Sequence, residues 1–424
     1  MRFQAWPAYG RIRVGGGLIA HKLRIGFLPL VDAALPILAR ELGYAEDERL
    51  DIELVRDVSW AAVCDRLVYG HTDAAHLIAP LAIAVTLGVG RPATPLSVPF
   101  VLGLNGNAVT VRPEIADRIT HPGKPGDAAA IGKKLAEVAR ERRDQGSHLR
   151  FGVVHRHSSH NYMLRYWLRG CGIDPDRDVK ITVVSPPFAA DALGQGEVDG
   201  ICVGEPWNSV AVDRGHGTIA VMTSQIWRRG VEKVLAMPTQ RMSENPQITD
   251  QLVRALYRAG IAFIDHERTD EIVGILAREN YIGAAADAIR RAMTDRILFA
   301  KGCEPVHVPD FMFQHREAAN FPWSSQAAWL YAQMCLAGHA QPNAEAYESA
   351  QRVFRPDVYR RALRVVDAAL PGAGAKLEGA IAGTMAVGTT QGRLILGADR
   401  FFDGRLFDPN RLRDYLDSTQ ASEK

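Results

Sequence analysis

Apolar positions along this chain change period in a regular order. Residues 22–30 (KLRIGFLPL) form a short run of β-branched and aromatic side chains stopped by Pro29, which reads as a buried strand. Leu35, Leu38, Ala39 and Leu42 then follow helical spacing up to Gly43. DIELV (51–55) alternates as a second strand, and Ser59 is placed to cap a helix running through WAAVCDRLVYG. HTDAAHLIAP is a short strand that leads into the helical LAIAVTLGVG. Strand–helix–strand–helix order of this kind implies a parallel sheet covered by helices.

Residues 112–127 (RPEIADRITHPGKPGD) break the pattern with Pro, Gly and charge, and read as a crossing between lobes or a surface loop. The charged KKLAEVARERRDQG reads as a solvated helix face. A second unit opens at LRFGVVH (149–155), continues through SSHNYMLRYWLRGCG as a helix and KITVVSP as a strand, and ends at ICVGEPW. Beyond about 234 the periodicity is mainly helical. Two α/β units on one chain place a cleft between them, where small ligands are usually held.

Composition narrows the class. The 424 residues are 47% hydrophobic and 23% charged, enough apolar mass for two or three packed domains. Lys plus Arg is 50 against 48 for Asp plus Glu, a net of +2, so a dominant nucleic-acid surface is not expected. Mean hydropathy is −0.09, and no apolar run is long enough to span a membrane. Five widely spaced cysteines without C-x-x-C read as free thiols in a reducing compartment. Arg11 and Arg13 interrupt the apolar stretch that a secretory signal would need. Residues 1–21 therefore read as a ragged leader outside the fold, and the protein as cytoplasmic. The common nucleotide-binding, hydrolase and zinc-protease motifs do not occur, which favours binding over catalysis.

Several short segments carry candidate chemistry. Ser59 and Trp60 stand at a helix start, where free backbone N–H groups attract anions; Trp60 is either an indole donor there or a core aromatic. FVLGLNGNAVTV combines glycines with Asn105 and Asn107, either a ligand approach or an Asn-Gly turn. His155, His157 and His160 lie at a strand-to-helix junction. No Cys or close carboxylate joins them, so an oxyanion contact from His160, or ordinary packing, is preferred to a metal. Pro186 and Pro187 end a strand as a rigid wall or a turn. Glu205 and Trp207 follow another strand, and Lys233 is a cation beside an apolar one.

The segments FLPLVDAALPILARELG, SWAAVCDRLVYGHTDAAHLIAP, LNGNAVTV, NYMLRYWL, VGEPWN and EKVLAMP together resemble the nitrate- and bicarbonate-binding solute proteins, the NrtA/CmpA group, from about residue 22 into the 330s. The fold class implied is α/β: a two-lobed periplasmic-binding-protein-like fold (type II), with parallel-rich sheets wrapped by helices and a hinged cleft. The expected organisation is 22–112 as the first part of lobe 1, 113–230 as lobe 2, and 231–424 as a return to lobe 1 with a C-terminal helical extension. By resemblance the nitrate contacts fall on Trp60, Gly103, Asn107, His160, Pro186 and Lys233, with Asn107 where the family often has a longer glutamine amide. Lys233 supplies charge, as does His160 when protonated. No catalytic residue, metal or cofactor is implied. Without an export signal, the sequence is most similar to the cytoplasmic nitrate/nitrite sensors of the NasS type. Their implied role is to bind nitrate or nitrite and thereby release a NasT-like antiterminator protein, with no direct contact to nucleic acid or membrane. The substrate-binding component of a nitrate or bicarbonate ABC transporter is the alternative. An enzyme on the same fold would need an acid–base pair, for which Glu205 and His160 are the nearby candidates.

Overall fold

A computed structural model of the chain describes residues 10–14, 18–121 and 123–421. The apolar run at its start extends as the strand β2 (Leu18–Phe27), with β3 (Leu50–Arg56) and β4 (Ala74–Ile78) both parallel to it. The helix Trp60–Val68 joins β3 to β4, as the change from period 2 to period 3.6 requires. Its Ser59 cap accepts a hydrogen bond from the Ala62 amide at 3.2 Å. β1 (Gly10–Val14) lies antiparallel to β2. Placing residues 1–21 outside the fold is therefore corrected for 10–14 and 18–21, which pair in the sheet. Residues 1–9 and 15–17 lie outside the described residues.

β5 (Leu96–Asn105) is buried along its whole length. The chain then turns at Gly106 into β6 (Asn107–Val111), which belongs to a different sheet. Asn105 and Gly106 both hold positive φ, 56° and 79°, a backbone that Asn tolerates and Gly adopts freely. The first crossing between lobes therefore lies at 105–107, not at 112. The Pro-rich 112–127 stretch instead carries the helix Pro113–Ile119 on lobe 2. Its local composition signals a helix start and a loop, while the true crossing is a single left-handed turn inside an apolar run.

Lobe 2 is a five-stranded sheet in the order β10-β6-β9-β7-β8, with β7 (Leu149–Val153), β8 (Val179–Val183), β9 (Gly200–Gly204) and β10 (Thr218–Met222). β7 is parallel to β8 and β9; β6 is antiparallel to β9 and β10. The chain returns through residues 223–230 to β11 (Val231–Pro238), which inserts antiparallel between β4 and β5. The two crossings are tied together: the Gly230 carbonyl accepts from the Asn105 amide and the Arg228 carbonyl from its side chain, each at 2.9 Å. The fold is thus the two-lobed periplasmic-binding-protein-like α/β class. Its sheets are mixed, because the strands next to each crossing run back against their neighbours.

Beyond β11 the chain covers more than lobe 1. The helix Ser324–Leu336 packs on both lobes, touching the helices Ala79–Thr86 and Ser159–Gly170. Trp227, in the second crossing, stacks on Phe401 at 4.9 Å and meets Trp329 at 4.6 Å. Phe402 donates its amide to the Ile226 carbonyl at 2.9 Å, and Tyr166 of lobe 2 donates to Asp403 at 2.8 Å. The C-terminal extension therefore splints the second crossing. A continuous apolar cluster runs from Trp60 and Ile83 of lobe 1 through Trp167 of lobe 2 to Trp329 and Phe401. The five cysteines are free, with Cys64 and Cys202 buried and the others partly so.

Candidate functional site

The carboxyl ends of the parallel strands in both lobes face one seam, and the residues singled out in the sequence meet there. Lys233, on β11, is fully buried, with Nζ 2.8 Å from Asp32 Oδ2 and donating to Glu232 Oε1 at 2.7 Å. Nζ also lies 5.4 Å from the Trp60 ring centre. Consecutive residues of a regular strand point to opposite faces. β11 shifts register on both sides of Lys233, and this irregularity brings Glu232 and Lys233 into one ion pair. Gly103 is the cross-strand partner of Lys233. A Cβ at Gly103 would come within 2.7 Å of Gln314 Nε2, so glycine is required for that amide to lie where it does.

Lobe 2 supplies the facing groups. Asn107 is the first residue of β6, immediately after the left-handed turn. A Cβ on Gly204 would sit 3.0 Å from Asn107 Oδ1 and 3.5 Å from Asp32 Oδ2, so the two lobes bring these side chains to one point. His160 occupies the first turn of the helix Ser159–Gly170, whose Ser158 cap accepts from the Asn161 amide at 3.1 Å. His160 Nδ1 lies 3.3 Å from Glu232 Oε1, at ion-pair distance but outside hydrogen-bond geometry. Two hydrogen bonds close the seam beside the cluster: Val31 N–H to the Glu205 carbonyl at 2.9 Å, and Trp207 Nε1–H to the Pro29 carbonyl at 3.0 Å.

Of the residues expected to bind, Trp60, Gly103, Asn107, His160 and Lys233 are brought together. Pro186 is buried at the carboxyl end of β8, on the same edge of the lobe 2 sheet, and no hydrogen bond or ion pair links it to the cluster. Asp32, His76, Glu232 and Gln314 were missed. Asp32 and His76 lie inside FLPLVDAALP and HTDAAHLIAP, and a charged residue in an otherwise apolar segment was the signal available. Gln314 had none, because its position depends on the edge strand Met312–Phe313 pairing with β5.

Electrostatics decide what the cluster offers. Burial opposes the charged form of Asp32, but the Lys233 ammonium and His76 outweigh it and hold the carboxyl far below its usual range. Burial likewise opposes the Lys233 charge, and Asp32 and Glu232 outweigh it, raising the ammonium above its usual value. His76 Nε2 pairs with Asp32 Oδ1 at 2.8 Å, yet burial dominates and lowers its pKa. Burial lowers His160 to about 4 against the pull of Glu232. The condition attached to His160, that it supplies charge when protonated, is thus not met in the ligand-free protein near pH 7. Lys233 is correspondingly not a free cation but one shared by two carboxylates.

Trp60 Nε1, both amide atoms of Asn107, both ring nitrogens of His160 and both amide atoms of Gln314 are buried with no hydrogen-bond partner within the protein. Native proteins rarely leave such atoms unpaired, and their convergence marks a ligand position. The donors among them suit a small polar group with several acceptor oxygens. Among the described residues, no group of three or more His, Cys, Asp or Glu is arranged to hold a metal ion. A surface groove of about 1160 Å³ between the helices Ala79–Thr86 and Ala344–Val353 includes none of the cluster residues.

Comparison with known proteins adds the following. The profile of the NMT1-like family matches residues 18–277. The nitrate import ATP-binding protein NrtC of Synechocystis sp. is 32% identical over 352 residues, which are 82% of this chain and 51% of that protein. The chain thus spans about half the length of that relative. The nitrate/nitrite binding protein NrtA of Nostoc sp. is 27% identical over 411 residues, covering 95% of this chain and 86% of NrtA. The crystal structure of the periplasmic nitrate-binding protein NrtA from Synechocystis PCC 6803 superposes with a TM-score of 0.81 at 24% identity, over 94% of this chain and 98% of that one. The alkanesulfonate-binding protein SsuA from Xanthomonas axonopodis pv. citri, bound to MOPS, superposes at 0.53 with 17% identity, over 77% and 97%.

Proposed function

Because this chain belongs to the NMT1-like family, we propose that it binds a small planar oxyanion of the nitrate, nitrite or bicarbonate class at the seam between its lobes. The observation that carries this reading is the convergence of unpartnered Trp60, Asn107, His160 and Gln314 around Lys233. Nitrate spreads one charge over three acceptor oxygens, and a shell of N–H donors against an indole wall matches it. A micromolar site needs about 8 kcal/mol in all, within reach of several hydrogen bonds to a charged ligand at about 1.5–3 kcal/mol each. The lobes contribute different donors, so the ligand itself joins them: Trp60, Gln314 and Lys233 from one side, Asn107 and His160 from the other. We read the seam as a binding rather than a catalytic site. Of the acid–base candidates, Glu205 Oε2 accepts from the Ser209 amide at 3.2 Å, and burial pushes its carboxyl up to about 7.

The relatives favour the role of solute-binding component of an ABC importer, since NrtA and NrtC are named for nitrate binding and nitrate import. The second reading is the cytoplasmic nitrate/nitrite sensor that releases a NasT-like antiterminator. What supports it are the seam bonds from Val31 to Glu205 and from Trp207 to Pro29, which would give open and closed lobes different surfaces for a partner to select. Gel filtration with the antiterminator separates the two: a complex that nitrate dissolves supports the sensor, and one indifferent to millimolar nitrate rejects it.

Calorimetric titration of the full chain with nitrate, nitrite, bicarbonate and an alkanesulfonate tests the shared reading. Trp60→Phe keeps the aromatic wall and removes one donor. Nitrate affinity is expected to fall about tenfold, the value of one hydrogen bond to a charged ligand. Unchanged affinity would remove Trp60 from the site.

A further inference from the structure

The cluster already holds more negative than positive charge. Asp32 and Glu232 carry two carboxylates, and Lys233 supplies one ammonium, which touches both. All three side chains are almost fully buried. Adding an anion would place three negative charges against one positive charge away from water, an arrangement that proteins avoid by changing protonation. We propose that the oxyanion enters together with one proton, which His160 takes up, so that the protein binds the pair rather than the anion alone. This rests on the oxyanion reading above. The balance is one anion and one proton taken from solvent per site.

The geometry selects His160. Its ring is fully buried and neither nitrogen has a hydrogen-bond partner. Nδ1 lies 3.3 Å from Glu232 Oε1, so a proton there gains a carboxylate acceptor while Nε2–H remains free to donate. His76 is less well placed: its Nε2–H donates to Asp32 Oδ1 at 2.8 Å, so an added proton would fall on Nδ1, which is buried with no hydrogen-bond partner. The charged groups that act on His160 are Asp32, from the turn after β2, and Glu232 and Lys233, from β11; His76 of β4 and Cys202 of β9 lie within reach of the same ion pair. In the protein alone burial keeps the ring neutral down to about pH 4, so the proton is not present beforehand and must arrive with the ligand. His160 stands on lobe 2 and Glu232 on lobe 1, so taking up the proton also strengthens closure.

The test is titration of the full chain with sodium nitrate at pH 6 in buffers of different ionisation enthalpy, repeated from pH 5.5 to 7.5. The expected result is close to one proton taken up per nitrate at pH 6, and affinity rising about tenfold per unit fall in pH, a slope that ends only near pH 4, where the ligand-free imidazole itself becomes protonated. His160→Gln keeps an amide donor but takes no proton; its affinity is expected to be weaker and flat with pH. Uptake that persists in His160→Gln overturns the assignment, as does nitrate binding lost in EDTA and restored by calcium, which would make a metal the countercharge. Nitrate bound with pH-independent affinity overturns the coupling and leaves the oxyanion reading standing. No heat with nitrate, nitrite or bicarbonate at any of these pH values overturns that reading, and the coupling with it.

Discussion

Lys233→Ala is expected to abolish measurable nitrate binding and to lower the stability of the protein itself by about 3–5 kcal/mol. The first effect follows from removing the only ammonium in the cluster. The second comes from the structure, since the sequence alone offers Lys233 only as a ligand contact. In the structure it neutralises Asp32 and Glu232, and removing it strands two carboxylates away from water. Part of that cost is relieved if the carboxylates protonate, so the melting temperature of Lys233→Ala should fall less steeply than that of the wild type as the pH is lowered from 7. Adding Asp32→Asn to Lys233→Ala is expected to restore part of the lost stability and none of the binding. A melting temperature and a nitrate affinity both unchanged in Lys233→Ala would remove the cluster from the ligand site and from the core.

Acid lability of the ligand-free protein is the second large effect. Burial lowers His155, His160, His315 and His339 to about 4 and His157 to about 3. In the unfolded chain these rings titrate near 6.5. Between about pH 6.5 and 4 the unfolded state therefore binds more protons, so stability is fully present above 6.5 and is lost as the pH falls below it. Each fully desolvated imidazole contributes at most about 1.4 kcal/mol per pH unit, and His339, which is only half-buried, contributes less. Burial is the leading cause, and the hydrogen bonds of His155, His157 and His339 also favour their neutral rings. The Tyr162 hydroxyl lies 3.1 Å from His157 Nδ1 and 3.0 Å from His339 Nδ1, so it donates to one ring and accepts from the other. Protonating both rings would make both Nδ1 atoms donors and leave the Tyr162 O–H without its acceptor. His155 Nδ1 accepts from the His157 amide at 2.9 Å and would lose that bond as well. Thermal scans are expected to show a level melting temperature from pH 8 to 7 and a steep fall from 6.5 to 5. Equal values at pH 7 and 5 would reject buried neutral histidines at this seam.

Local signals located most elements and much of the site. Ser59 caps its helix as its spacing predicts, its side chain accepting from the amide three residues on, and Ser158 and Asp127 do the same at two further helices. KITVV and ICVG are strands at the positions their apolar runs indicate. Crossing points were less legible. The Pro-rich stretch after Arg112 carries the stronger loop signature, yet the chain changes lobes at Asn105–Asn107, inside an apolar run, because Gly106 allows a turn without interrupting burial.

The sequence by itself determined the alternation of strands and helices, the two-lobed class, and the candidate donors Trp60, Asn107, His160 and Lys233, since all of these follow from periodicity, caps and resemblance carried by short segments. Tertiary structure alone decided the charge state of the site. Asp32 and Glu232 reach Lys233 through a register shift in β11 and the pairing of β4 with β11, and His160 meets Glu232 across the seam between the lobes. Such contacts join residues from about 70 to 200 positions apart, and Coulomb energy depends on distance and burial in space, neither of which a local pattern encodes.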